Sequence, residues 1–258
     1  MRTQRLMLAI FTLPVLLLAY SEEDWRAYSR SKVELVDTFN LPFEAAGPFV
    51  LLGDKLVFLS KGRDSLISLD TATRAVVARA RIASAWNMDI SAMTAYDGKP
   101  YMLSRSTRAI YRYEPDAQGG GPKMLLDLGK VRSDGEPVLT TFAYDGEYVY
   151  IVVLAEFRTR ILRIRAADGT TRFFTYATGN PAAVCCDGSQ VYYMRHRDVA
   201  DSRPAVEVFA ADVPRDRRCA ASVVDMELPC HRSVCLVARS GKLWCADAQG
   251  RVVIMRQR

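Results

Sequence analysis

Histidine is almost absent from this chain, with 2 histidines in 258 residues. Nucleophilic serine or cysteine chemistry needs a neighbouring base, and only His196 and His231 offer an imidazole. The sequence contains no Gly-x-Ser-x-Gly motif and no glycine-rich phosphate loop between a strand and a helix. We therefore expect no hydrolase with a histidine-activated nucleophile and no phosphate-loop enzyme.

Long apolar stretches are also scarce. The single run, Leu6 to Tyr20, follows two arginines and is shorter than the ~20 residues that a membrane span needs. Because small residues and then three acids follow it, we predict a signal peptide at residues 1–21. Residues 22–32 would be a flexible or short helical lead, and the protein would be secreted or periplasmic. An uncleaved signal anchor is the alternative, and only in that case do we expect contact with a membrane.

The positive charge is modest and dispersed. The formal net charge is +6, and many basic residues alternate with apolar ones, as in Arg158 to Arg165. A nucleic-acid surface needs basic residues clustered on one face, with aromatic residues for stacking. We therefore expect no nucleic-acid partner.

The 6 cysteines all lie in the C-terminal third, which fits an oxidising compartment. Spacing alone does not fix their pairing. The candidate disulfides join Cys235 to Cys245, which flank one turn, and Cys219 to Cys230, in the preceding connection. Cys230, His231, Cys235 and Cys245 fit no standard zinc spacing, so we expect no metal and no cofactor.

An internal repeat runs through most of the chain. A short apolar strand, a tight turn and a second apolar or aromatic strand recur five times. Aligned on Asp54, Gly98, Gly146, Gly188 and Gly241, the turns lie 44, 48, 42 and 53 residues apart. A period of this length with several strands per unit is typical of a β-propeller.

Each unit continues with further alternating strands, which gives four strands per unit in the first four units. The last unit ends one strand short, whereas an unassigned strand, residues 33–36, precedes the first unit. We predict that residues 33–36 pair with residues 252–255 and close the ring. The predicted fold is all-β: a five-bladed β-propeller of four-stranded antiparallel blades over residues 33–258.

The Asp-Gly pairs at 97, 145 and 187 are predicted hairpin turns, in which both residues adopt positive φ. The tyrosines around these turns are expected to pack between blades. A tyrosine at the rim would be free to stack on a sugar.

One repeat carries a family resemblance. The segment from Tyr144 to Tyr150 reads YDGEYVY, and it is followed by an Ile-Leu-Arg-Ile strand at 161–164 and a second Asp-Gly turn at 168–169. This pattern resembles a repeat of the broad YWTD, NHL and TolB-like propeller group. The Tyr-Trp-Thr-Asp tetrad itself is missing, so the resemblance implies an architecture and no particular ligand.

Candidate site residues were sought just before each innermost strand, at the expected channel mouth. They are Trp86, Asn87, Asp89, Glu136, Asn180 and His231. An aromatic platform at Trp86 beside the Asp89 carboxylate suits a sugar. We assign no catalytic residue and expect a monomeric binding or scaffolding module with a protein or glycan partner.

Two alternatives remain open at this stage. The first is a carbohydrate-active hydrolase, in which Asp89 and Glu136 converge within roughly 5–10 Å. The second is a structural envelope protein without a small-molecule site, which predicts a channel plugged by side chains.

Overall fold

The structure, a computed structural model, describes residues 33–82, 89–114, 122–131, 133, 135–155, 158–177, 179–188, 190–196, 204–210, 222–224, 233–247 and 249–257. Over these residues, hydrogen bonds join twenty strands into five four-stranded antiparallel sheets. The predicted all-β propeller with four-stranded antiparallel sheets is confirmed. No helix in these ranges is long and apolar enough to span a membrane.

The strands are numbered in chain order and grouped here by sheet. The first sheet contains β2 (Ala45–Leu52), β3 (Lys55–Ser60), β4 (Ser65–Asp70) and β5 (Val76–Arg81). The second contains β6 (Ile90–Tyr96), β7 (Lys99–Ser104), β8 (Ala109–Arg112) and β9 (Lys123–Asp127), followed by a 3-10 helix at Leu128–Lys130. The third contains β10 (Glu136–Tyr144), β11 (Tyr148–Ala155), β12 (Arg158–Arg165) and β13 (Thr171–Ala177). The fourth contains β14 (Asn180–Asp187), β15 (Gln190–His196), β16 (Pro204–Ala210) and β17 (Ser222–Val224). The fifth contains β18 (Ser233–Arg239), β19 (Lys242–Asp247), β20 (Arg251–Gln257) and β1 (Val33–Asn40).

The fifth sheet combines the two ends of the described chain. β1 pairs antiparallel with β20, with Val33 opposite Gln257 and Asn40 opposite Arg251. The strand that begins at residue 33 therefore pairs with the last strand, as predicted, but the register is corrected: residues 252–254 lie opposite residues 37–39, because β1 continues to Asn40. A register shift between Leu35 and Asp37 leaves Val36 as an extra residue in β1.

The second strand of each sheet is apolar along its length because both of its faces are covered. In β3, Leu56 and Phe58 pack in one apolar cluster, whereas Val57 and Leu59 pack in another on the opposite face. Such continuous apolar runs are typical of strands buried on both sides. The outer strand β5 is exposed at every position, because it forms the edge of its sheet.

The strands β2, β6, β10, β14 and β18 are here called the inner strands. Each contacts the next in this order, and β18 contacts β2. Five buried apolar clusters lie between pairs of sheets, one of them between the fifth sheet and the first, where Trp244 and Phe49 share a cluster. Polar bonds also link inner strands: the Val184 amide donates to Thr141 Oγ1 at 2.7 Å, and the Cys235 thiol donates to the Phe49 carbonyl at 3.5 Å.

The three Asp-Gly turns differ from one another. The predicted two-residue turn is confirmed at Asp97 and Gly98, whose φ angles are 49° and 68°. At the next site the loop is longer, because Tyr144 pairs with Val149. In the fourth sheet Asp187 pairs with Gln190, so Asp187 ends the strand instead of forming the turn. These two turn predictions are corrected, since an Asp-Gly pair alone does not fix the register of a hairpin.

The predicted Cys235–Cys245 disulfide is also corrected. The two cysteines form no disulfide with each other, because the turn between β18 and β19 pairs Arg239 with Lys242 and so places Cys235 opposite Ala246 and Cys245 opposite Leu236. Neighbouring strand positions face opposite sides of a sheet, and these two thiols accordingly lie in different apolar clusters. Cys219 and Cys230 lie outside the described residues.

Candidate functional site

The inner strands surround a cavity of about 460 Å³ at the end where each strand runs into its hairpin turn. All five sheets contribute to its lining. Apolar residues form part of its wall, among them Leu51, Met93, Leu236 and Val237. A volume of this size lies within the range of small-ligand pockets, about 300–1,000 Å³.

Charged side chains contribute to the same lining. Asp97, Asp145 and Asp187 come from the second, third and fourth sheets, and Arg239 comes from the fifth. Three carboxylates and one guanidinium give the lining a negative formal charge.

The Asp145 carboxylate is held by its own sheet. Its Oδ1 accepts the amide protons of Glu147 and Tyr148 at 2.9 and 2.7 Å, and its Oδ2 accepts the hydroxyl proton of Tyr150 at 2.8 Å. Burial, followed by the nearby Asp145 charge, raises the pKa of Tyr150 well above its usual value. Tyr150 is therefore a neutral donor at ordinary pH, and Asp145 fixes the turn as well as lining the cavity.

Asp97 and Asp187 have no such partners. In the ranges that the structure describes, neither carboxylate takes part in an ion pair or a side-chain hydrogen bond. Arg239 donates from Nη1 to the Gly53 carbonyl at 3.0 Å, so its guanidinium connects the fifth sheet to the first.

An aromatic ring is fixed beside these charges. Tyr96 is 42% exposed, and it packs so closely on Gly146 that a Cβ atom there would lie 2.2 Å from Tyr96 Cζ. The ring of Tyr144 meets Tyr96 edge-on, with centroids 5.4 Å apart, and Tyr101 packs against Tyr144 at 4.8 Å. The expectation that tyrosines pack between sheets holds for Tyr101 and Tyr144, which are buried, whereas Tyr96 stays accessible at the cavity.

A thiol completes the lining between the third and fourth sheets. Cys186 Sγ donates to the Tyr144 carbonyl at 3.1 Å. Burial and the nearby Asp145 charge raise the pKa of Cys186 to about 12, so the thiol stays protonated at neutral pH. A protonated, hydrogen-bonded thiol is a poor nucleophile, which argues for a structural role.

The predicted site residues that the structure describes, Asp89, Glu136 and Asn180, lie at the opposite end of the inner strands. Asp89 immediately precedes β6, and its carboxylate forms ion pairs with Arg63 and Arg105. Glu136 and Asn180 are exposed at the first positions of β10 and β14. Trp86, Asn87 and His231 lie outside the described residues, and the sugar-binding role of the whole set stays a prediction.

A second cavity, of about 360 Å³, lies at that opposite end, between the first and fifth sheets. Its lining includes Phe43, Asp247 and an exposed ion pair between Lys61 Nζ and Glu44 Oε2, 2.6 Å apart. Among the described residues only the first and fifth sheets and their connections contribute to it, in contrast to the cavity at the turn end. No group of three or more His, Cys, Asp and Glu side chains in the described ranges is arranged to hold a metal ion.

The cavity at the turn end is not predicted from the sequence, because the Asp-Gly pairs that line it are also typical turn formers. The available signal was their repetition at the same end of successive inner strands, next to tyrosines. That signal identifies an end of the fold, but it does not reveal which carboxylates stay without partners.

Comparison with known proteins identifies the fold. The sequence matches no protein-family model and no curated protein. A chain of the nidogen/laminin complex is 12% identical, with a TM-score of 0.53 over 81% of this chain and 75% of that chain. The PQQ-bound aldose sugar dehydrogenase of Streptomyces coelicolor is 12% identical, with a TM-score of 0.52 over 87% and 97% of the two chains. The glutaminyl cyclase of Myxococcus xanthus is 12% identical, with a TM-score of 0.54 over 87% and 95%.

These three neighbours are β-propellers, so the resemblance expected at the level of architecture is confirmed. At this sequence identity the likeness shows the fold alone.

Proposed function

We propose that this chain is an exported, monomeric binding module. Its five sheets are the five blades of one ring, which β1 completes, and the cavity at the turn end receives part of a protein or glycan partner. The observation that carries the proposal is the cavity itself, since all five sheets contribute to its lining and an accessible ring, Tyr96, is fixed beside it.

Contacts between the last and first sheets support the closed ring. Trp244 and Ile254 share an apolar cluster with Phe49 and Phe58. The Cys235 thiol and the Arg239 guanidinium each donate to a carbonyl of the first sheet, and the Arg74 guanidinium pairs with Asp37 of β1. Five sheets joined in this way leave no inner strand without a neighbour on each side.

The cavity favours a binding role over the structural alternative, because that alternative predicts a channel filled by side chains. The hydrolase alternative gains no support from Asp89, whose carboxylate is engaged by two arginines. The structural neighbours include a chain of a protein complex and two proteins named as enzymes. The shared fold is therefore compatible with both binding and catalysis.

The test compares two exposed tyrosines. Wild-type protein, Tyr96→Ala and Tyr176→Ala are used in a glycan array and in pull-downs from the native extracellular or envelope fraction. Tyr176 is the control because it is 48% exposed on the outer strand β13 and does not line the cavity. We expect a glycan or protein captured by the wild type to be lost with Tyr96→Ala and retained with Tyr176→Ala. Equal capture by all three would refute binding at the cavity.

A further inference from the structure

We propose that the cavity recognises the side-chain ammonium group of a lysine on a protein partner. This inference rests on the proposed function and specifies the chemistry of the partner. Three properties of the site carry it: an accessible aromatic ring, the sign of the charge at the rim, and the apolar side chains that lie among the polar ones in the lining.

The Tyr96 ring provides a fixed surface for a cation. An ammonium group within about 6 Å of an aromatic centroid is attracted by the negative potential of the ring face. Gly146 supports this ring, because no other residue leaves room for Tyr96 at that position. The ring of Tyr144 packs against Tyr96 at an interplanar angle of 66°, which limits rotation of the Tyr96 ring.

The rim carries the complementary charge. Asp97 and Asp187 line the cavity, and neither carboxylate has an ion-pair partner among the described residues. Arg239 is the one cation in the described lining, and its guanidinium donates to the Gly53 carbonyl. An incoming ammonium group would therefore meet two carboxylates that are not already neutralised, and an incoming carboxylate would be repelled.

The apolar side chains of the lining suit the stem of a lysine side chain. Leu51, Met93 and Val237 offer apolar surface to the four methylene groups of a lysine. Long charged side chains bury their methylene stems on such surfaces and keep the charged end near polar groups. In glucosamine the ammonium group is attached directly to the sugar ring, so no methylene stem is available to cover these side chains.

The direct test uses Nα-acetyl-lysine methylamide as the probe, titrated into the full chain and followed by NMR or calorimetry. We expect binding that weakens as salt is added, since screening reduces attraction between exposed charges. The Nε-acetylated probe has the same stem without the charge, and we expect at least a tenfold weaker affinity for it. Glucosamine serves as the amino-sugar probe and should bind more weakly than the lysine probe. Tighter binding of glucosamine, or equal binding of both lysine probes, would overturn the proposal.

Charge variants locate the site. The double variant Asp97→Asn, Asp187→Asn should raise the Kd of the lysine probe at least tenfold. Asparagine tolerates the positive φ of position 97, so the turn should persist. Asp168→Asn is the matched control, because it removes an acidic charge from an outer turn of the third sheet, away from the cavity lining. Equal effects of the double variant and the control would overturn the proposal.

The same variants separate this inference from the function on which it rests. If partner capture depends on Tyr96 but is unaffected by the double variant, the cavity binds a partner and the lysine inference is wrong. If Tyr96→Ala leaves capture unchanged, the proposed function itself fails.

Discussion

Tyr96 of the second sheet rests on the backbone of Gly146 in the third sheet, and an added Cβ atom would lie 2.4 Å from the Tyr96 hydroxyl oxygen. These residues are fifty positions apart in the chain. Their contact joins two sheets and sets the position of the one accessible ring in the described lining of the cavity.

The first prediction concerns this contact. Gly146→Ala should lower the free energy of unfolding by about 2–4 kcal/mol, because it combines a disfavoured backbone conformation with a clash against Tyr96. Gly98→Ala is the control, since Gly98 has a φ of 68° but open space around its Cα. It should cost only the backbone strain, about 1–2 kcal/mol. Urea unfolding measures the free energy of unfolding of both variants. Equal losses of stability would mean that the Tyr96 side chain moves aside without cost.

A second prediction concerns the hydroxyl group of Tyr150. Tyr150→Phe removes the donor to Asp145 Oδ2 and should cost about 1.5–3 kcal/mol, the usual range for a hydrogen bond to a charged group. Tyr111→Phe is the matched change, because the Tyr111 hydroxyl donates to Thr107 Oγ1 at 3.1 Å in an exposed pair. Thermal and urea unfolding should show a much smaller loss for Tyr111→Phe. A Tyr150→Phe variant as stable as the wild type would contradict the role of this bond.

The third prediction concerns alkaline pH. The pKa of the Cys186 thiol is raised from 9.0 to about 12, chiefly by burial. The unfolded state therefore releases this proton first, and the stabilisation is complete below pH ~9 and is lost progressively as pH rises toward ~12. Up to about 1.4 kcal/mol per pH unit should be lost through this group.

Its control is Cys186→Ala, which should show a shallower fall in the free energy of unfolding over the same pH range. Tyrosines titrate there in both proteins, so only the difference between the two curves reports on Cys186. Parallel curves would show that the thiol is accessible and titrates normally.

A fourth prediction concerns the link between the third and fourth inner strands. Thr141→Val leaves the buried Val184 amide without its 2.7 Å acceptor and should cost about 1–3 kcal/mol. Thr171→Val serves for comparison, because Thr171 donates to the Gly169 carbonyl at 3.3 Å at a less buried site. We expect hydrogen exchange at the Val184 amide to accelerate in Thr141→Val alone. Unchanged exchange would indicate that another group accepts this proton.

The sheets could be predicted from the sequence because the pattern of apolar residues along each strand reflects which of its faces are buried. Leu56 to Leu59 are apolar without interruption, and two covered faces are the simplest explanation. The strand at residues 33–36 could be assigned because the last unit has only three strands. Its exposed edge needs a fourth strand from elsewhere in the chain.

The site could not be predicted in the same way, because it depends on registers and long-range contacts. The register set by the two-residue turn at Ser240 and Gly241 leaves Cys235 and Cys245 one position apart, although both flank the same turn. Asp145 and Asp187 both precede glycine, but only Asp145 is held by a tyrosine hydroxyl, and no local pattern distinguishes them. The predicted site consists of polar residues at the starts of the inner strands. The cavity that all five sheets line lies instead at the ends of these strands.

The most direct test of the account is a crystal structure of the full chain with Nα-acetyl-lysine methylamide. We expect the probe at the turn end of the inner strands, with its ammonium group against the face of Tyr96 and beside the carboxylates of Asp97 and Asp187. A probe bound instead at the opposite end, near Asp89 and Glu136, or a turn-end cavity filled by side chains, would contradict it.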